Sequence, residues 1–115
     1  MKIFNSPSKK FQGEIHIHDP LTLPMILAIE EAQRAGSECF EDAKLKPGKT
    51  WSNVDDAWMP AILKCVEKFE ITGFPEIVTR ENFPASPRIA SRRFITWLIN
   101  TLADIYIGEE EIPNE

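Results

Sequence analysis

The stretch Ser86 to Gly108, SPRIASRRFITWLINTLADIYIG, constrains the fold of this chain more than any other, because it carries a full set of helix signals and the densest apolar face. Ser86 suits the cap that takes the first free N–H groups, Pro87 suits the first helical position, and Gly108 suits the left-handed residue that closes a helix. With about 100° between successive residues, Ala90, Phe94, Trp97, Leu98, Thr101, Leu102 and Ile105 share one arc, while Arg92, Thr96, Asn100 and Asp104 lie opposite. Ile95, Ile99 and Tyr106 sit just beyond the edge of that arc and widen the apolar sector to about 200°, twice the roughly 100° that one packed side requires. A central helix with more than one neighbour follows. Phe94, Trp97, Leu98, Leu102 and Ile105 contribute about 1.5–3 kcal/mol each on burial, before chain entropy is subtracted.

The remaining elements are arranged around this helix. Lys2 to Phe4 is short and apolar, a turn-rich Asn5-Ser6-Pro7-Ser8 follows, and Phe11 to His18 alternates Phe11, Gly13, Ile15 and Ile17 against Gln12, Glu14, His16 and His18. That period of two predicts a β-hairpin whose isoleucine face lies on the helices. Asp19-Pro20 ends the strand. Thr22 caps a first helix over Leu23 to Ala35, with Pro24 in its first turn and Gly36 as its stop. From Ser37 to Thr50 no period is sustained, and Lys46-Pro47-Gly48-Lys49 has turn composition, so a loop is expected, with room for a short helical turn around Cys39 and Phe40. Ser52 or Asn53 caps a second helix whose stripe is Trp58, Ile62, Cys65, Val66 and Phe69, with Pro60 predicting a kink or break. Phe74-Pro75 and Phe83-Pro84 mark an extended connector anchored by its rings. The fold class is therefore mainly α: three principal helices with an N-terminal β-hairpin packed on them, an α+β arrangement in one domain over residues 1–108. Residues 109–115 form a short acidic tail. No internal repeat or domain boundary is present.

Charge narrows the function classes. The net charge is −5, and Glu109, Glu110, Glu111 and Glu115 supply four of those charges, so the acidity is mostly in the tail. This balance argues against non-specific nucleic-acid binding by the whole chain, while leaving room for a local basic patch. No apolar run marks a signal peptide or a membrane span, and no membrane partner is expected. Cys39 and Cys65 suggest neither a zinc site nor a disulfide framework, and reduced thiols in cytoplasm are the default. His16 and His18 share a strand face at a spacing found in metal sites, but without further ligands they are taken as a solvent-facing pair, and no metal or cofactor is assigned. Glu30-Glu31 and Asp55-Asp56 fit exposed helix faces and helix starts, so no catalytic residue is nominated and no enzyme is expected. Trp51, Trp58 and Trp97 are assigned to the core. Arg80, Arg88, Arg92 and Arg93 form the one charge cluster of interest: either a solvated face paired with nearby acids or a surface for an anionic partner.

The excess apolar arc supplies the candidate binding residues. Ile95, Ile99 and Tyr106 recur at spacings of four and seven and form a ridge beside the core face, with Arg88 and Arg92 flanking its start. The ridge is covered internally by the hairpin or first helix, or else it is a patch for a second copy or a partner helix.

Three segments, FQGEIHIHDPLTLPMILAIEEA, an aromatic-rich second helix ending near FEITGFPE, and NFPASPRIASRRFITWLINTLADIY, together resemble the tail assembly chaperones of long-tailed, lambda-like bacteriophages. The resemblance is one of pattern. It implies a small, largely helical protein that coats the tape measure protein, keeps it soluble and helps recruit tail tube protein before leaving the assembled tail. It implies host cytoplasm as the location and absence from the mature virion. In that family a fraction of translation often shifts frame to give a longer product. The alternative is a small structural virion protein, a head-completion or tail-terminator component, which would persist in purified particles.

Overall fold

The computed structural model describes residues 1–45 and 51–110, with side chains described for residues 1–38 and 54–108. Its elements in chain order are β1 (Lys2–Asn5), β2 (Gly13–Ile17), α1 (Leu23–Leu45), α2 (Trp51–Cys65), β3 (Val66–Ile71) and α3 (Arg88–Glu110). The three strands form one antiparallel sheet in the order β1-β2-β3. The predicted class holds: mainly helical, with an N-terminal hairpin packed on the helices. Ile15 and Ile17 are fully buried, and Phe11 is nearly so, so one face of the sheet meets the helices while Glu14, His16, Lys68 and Glu70 lie on the other.

The third strand was not expected, and its sequence explains why. Val66, Phe69 and Ile71 all point inward, although strict alternation would send Val66 outward. Ile17 pairs with Val66 while His16 pairs with Lys68, so Glu67 is an extra residue on β3 and the ladder shifts between His16 and Ile17. That bulge turns Val66 back to the core face and leaves a spacing of three between Val66 and Phe69, which in sequence imitates a helical stripe. Cys65 closes α2 by offering its carbonyl to the His18 N–H at 3.2 Å, which turns the chain into the sheet.

Three helix ends also differ from expectation. Gly36 does not stop α1, which runs on to Leu45, so the first part of the expected loop is helix; Lys46 to Thr50 lie outside the described residues. Gly36 is buried beneath Trp58, and a Cβ there would come 3.1 Å from the indole Nε1, so the glycine serves close approach of α1 to α2 and not a left-handed cap. Pro60 lies inside a single helix from Trp51 to Cys65, at an exposed position where solvent can reach the carbonyl that its missing N–H leaves free. At the start of α3 it is the Pro87 carbonyl that accepts the first helical bond, from the Ser91 N–H at 2.9 Å, placing Pro87 at the cap and Ser86 before it; the Ser86–Pro87 peptide is cis. At the other end α3 passes through Gly108 to Glu110. Thr22, by contrast, caps α1 as expected, its carbonyl accepting from the Ile26 N–H at 3.0 Å.

The core gathers around α3. Phe94, Leu98 and Leu102 are fully buried, and Ile95 and Tyr106 are buried on the flank, so the wide apolar sector does serve several neighbours. Trp97 is only partly buried and packs against Phe94 at a ring separation of 5.6 Å. Phe74 and Phe83 anchor the connector as expected, packing on each other at 5.3 Å and on Phe69 at 5.5 and 6.0 Å respectively.

Two glycine substitutions test this fold. Gly13 has φ of +140° and an added Cβ would sit 2.0 Å from the Glu70 carbonyl oxygen. Gly13→Ala should therefore cost at least about 2 kcal/mol in urea unfolding, through strain and separation of β2 from β3. Gly108→Ala meets nothing within 4 Å inside a helix. It should be neutral or stabilising by up to about 1 kcal/mol, whereas a left-handed cap at Gly108 would make it destabilising.

Candidate functional site

The first turns of α3 contribute to two concavities. One lies between α2, the end of the connector and α3, has a volume of about 210 Å³, and is lined by Asp55, Arg80, Arg88, Ser91 and Ile95 among others. Asp55 falls on the buried side of α2, one turn before Trp58 and Met59, and is only 7% exposed. Its neighbour Asp56 points outward and pairs with Arg80. The two carboxylates, expected together on an exposed helix start, thus divide between core and surface. Burial pushes the Asp55 carboxyl above its ordinary range, and the positive charges of Arg92 and then Arg88 act against that shift. Asp55 Oδ2 has no hydrogen-bond partner among the described residues. The cleft therefore offers a buried acceptor beside guanidinium groups, an arrangement suited to a small polar hydrogen-bond donor. Ser91 Oγ donates to the Pro84 carbonyl at 3.0 Å and ties the connector to α3 at this point.

The second concavity is an open groove of about 670 Å³ between the turn after β1 and the start of α3. Pro7, Pro87, Ile89, Ala90 and Phe94 give it an apolar lining, and Lys9, Lys10 and Arg93 form a basic rim. Ile89 is 71% exposed. The turn is held by two serines: Ser6 Oγ accepts from the Ser8 N–H at 3.1 Å, and Ser8 Oγ accepts from the Lys10 and Phe11 N–H groups, both at 3.2 Å. This fixes the backbone that carries the two lysines. Arg34, Lys68 and Arg80 all have carboxylate partners, whereas Lys9, Lys10 and Arg93 have none among the described residues. Three uncompensated cations around an apolar trough suit an acidic segment with apolar side chains.

The outer face of the sheet holds a third cluster. Glu14 and Glu70 are paired across β2 and β3, with His16 Nε2 at 3.1 Å from Glu14 and 3.6 Å from Glu70. Glu14, His16 and Glu70 each place one donor atom within 4.8 Å of the others and are the described residues best placed to hold a metal ion. Lys68 Nζ lies 2.6 Å from Glu70, and this contact, with a smaller contribution from His16, holds the Glu70 carboxyl below its usual range. The group thus works as an ion-pair network that relieves the repulsion between facing glutamates. His18 does not join it, and faces Glu67 at 3.7 Å.

The residues nominated from sequence do not form one surface. Ile95 is buried at the back of the Asp55 cleft; Tyr106 is buried near the far end of α3, its hydroxyl donating to Glu30 of α1 at 2.8 Å; and Ile99 between them is partly buried against the core. Two of the three ridge residues are therefore buried within the domain, and Ile99 is partly buried. Arg88 is exposed at the cleft and Arg92 is half-buried beside it, so these two face an acid of the same chain. The groove was missed because its rim comes from two distant segments, Lys9-Lys10 and Arg93, which no spacing rule connects. No family model, curated protein or solved structure matches the chain.

The raised Asp55 carboxyl makes stability depend on pH. The folded state holds this proton more tightly than the unfolded chain, so the Asp55 contribution to stability is largest in acid. It declines as pH rises from the ordinary aspartate range through the raised folded value. Asp55→Asn should be more stable than the parent at pH 7, with the difference closing in acid, as read from urea midpoints at several pH values. A variant less stable at pH 7 would show that the arginines outweigh burial.

Proposed function

We propose that the chain is a non-enzymatic phage tail assembly chaperone that holds the tape measure protein in soluble form and assists assembly of the tail tube. The observation that carries this reading is the open groove, with its apolar floor and its basic rim of Lys9, Lys10 and Arg93, which have no carboxylate partner among the described residues. An amphipathic client segment gains apolar contact with Ile89 and Phe94 and charge pairing at the rim, a recognition mode that tolerates many sequences. The groove belongs to rigid parts of the molecule, the serine-held turn and α3, so the surface is formed before the client arrives. The resemblance of the three sequence segments to tail assembly chaperones supplies the client. On this reading the protein acts in host cytoplasm and leaves before the virion is complete.

Co-expression with the tape measure protein that this reading places beside it in the genome tests the proposal. The client should remain soluble and co-purify with the chain, and Lys9→Glu with Arg93→Glu should reduce recovery of the complex at least tenfold while circular dichroism stays unchanged. Absence of binding, together with presence of the chain in purified particles, would overturn the proposal in favour of a structural virion component.

A further inference from the structure

We infer that the groove of one copy is occupied, in the absence of client, by the acidic segment of a second copy that begins in the last residues of its α3 and continues beyond it. This inference rests on the reading of the groove as a client site and names what holds that site beforehand.

The chemistry of the groove asks for an occupant with several carboxylates and an apolar side chain among them. Three rim cations, Lys9, Lys10 and Arg93, lack partners among the described residues, in a chain whose net charge is −5. The segment GEEEIPNE, residues 108–115, has this composition: Glu109, Glu110, Glu111 and Glu115 for the rim, and Ile112 with Pro113 for the apolar floor around Ile89 and Phe94. Four of the five excess negative charges of the chain lie in this one segment. Elsewhere Arg34, Lys68 and Arg80 already have their own acids.

Length decides between the same chain and another. The chain is helical from Arg93 to Glu110, and the 17 steps between them, at 1.5 Å each, carry the segment about 26 Å away from the groove. Residues 111–115, fully extended, reach back about 18 Å at most. The segment therefore cannot fill its own groove but can fill that of a neighbour. The contact joins two different surfaces, so it is head-to-tail, and repeated it gives a ring or an open row of copies. A client segment of similar chemistry competes for the same groove, which makes self-association and client binding mutually exclusive at each site.

Sedimentation of the full chain at low salt, between 10 µM and 1 mM, tests the inference with the peptide GEEEIPNE as competitor. Association should rise with concentration, and it should weaken at least tenfold on addition of 0.5 M NaCl, on Arg93→Glu and on removal of residues 111–115. The peptide should dissociate it. A chain with Arg93→Glu mixed with one carrying Glu109→Lys, Glu110→Lys and Glu111→Lys should associate again. A chain that stays monomeric throughout, or an association untouched by these changes, would overturn the inference. Client binding is read separately by co-expression, so loss of self-association with client capture retained rejects only this occupant. Self-association without client capture rejects the chaperone reading instead.

Discussion

Packing around the Phe94 ring is the interaction on which the rest of this structure depends. The ring lies on α3, and it meets Phe11 at 5.4 Å, Phe74 at 5.5 Å, Trp97 at 5.6 Å and Phe83 at 6.4 Å. These partners come from the turn before β2, from both ends of the connector, and from α3 itself. Each aromatic pair adds about 0.5–1.5 kcal/mol beyond the area it buries. More important is what the cluster joins. Its rings hold residues 72–86 against the helices together with the Ser91–Pro84 hydrogen bond and the Arg80–Asp56 pair, while the hydrogen bonds around Asn82 are local. Phe94 also floors the groove, and Phe83 lines the Asp55 cleft, so both concavities are by-products of one packing centre.

A second constraint is close approach. Gly36 lets α1 lie against Trp58 of α2, and Gly13 lets β2 lie against the backbone of Glu70 in β3. The first sets the helical layer and the second sets the sheet. The bulge at Glu67 then turns Val66 inward, so that a short edge strand still buries three apolar side chains. Charge is arranged by a simpler logic. Several exposed charges are paired locally, as in Arg34 with Glu31 and Glu38, and on the sheet's outer face His16 and Lys68 lie beside the facing glutamates. Lys9, Lys10 and Arg93 have no such partner among the described residues, which gives the groove its interest as a binding surface.

The parts of the fold governed by local rules were readable in the chain. The period of two from Phe11 to Ile17, the Thr22 cap and the apolar arc of α3 each depend on neighbours within a few residues, and each appears as expected. The aromatic-proline pairs were legible too, because a ring beside a fixed backbone has little else to do than pack. What failed depended on tertiary contact. Gly36 has the composition of a helix stop and is a helix contact, since Trp58 rewards a missing Cβ. Val66 and Phe69 have helical spacing because of a bulge that only the pairing with Ile17 reveals. Asp55 and Asp56 are alike in sequence and opposite in burial, and only the phase of α2 against α3 separates them. The ridge of Ile95, Ile99 and Tyr106 follows from the excess apolar arc, and how much of it is buried depends on the packing of the other elements: Ile95 and Tyr106 are buried and Ile99 partly so. The groove was out of reach because it unites Lys9 with Arg93 across most of the chain.

Denaturant unfolding of Phe94→Ala, followed by far-ultraviolet circular dichroism and by amide hydrogen exchange, tests most directly whether the aromatic cluster holds the molecule together. Removing a fully buried ring should cost about 3–5 kcal/mol. Exchange protection should fall first in β3 and in residues 72–86, whose rings Phe69, Phe74 and Phe83 pack in the cluster. A loss below about 1 kcal/mol, with protection in those segments unchanged, would contradict the account and place the organising contact elsewhere.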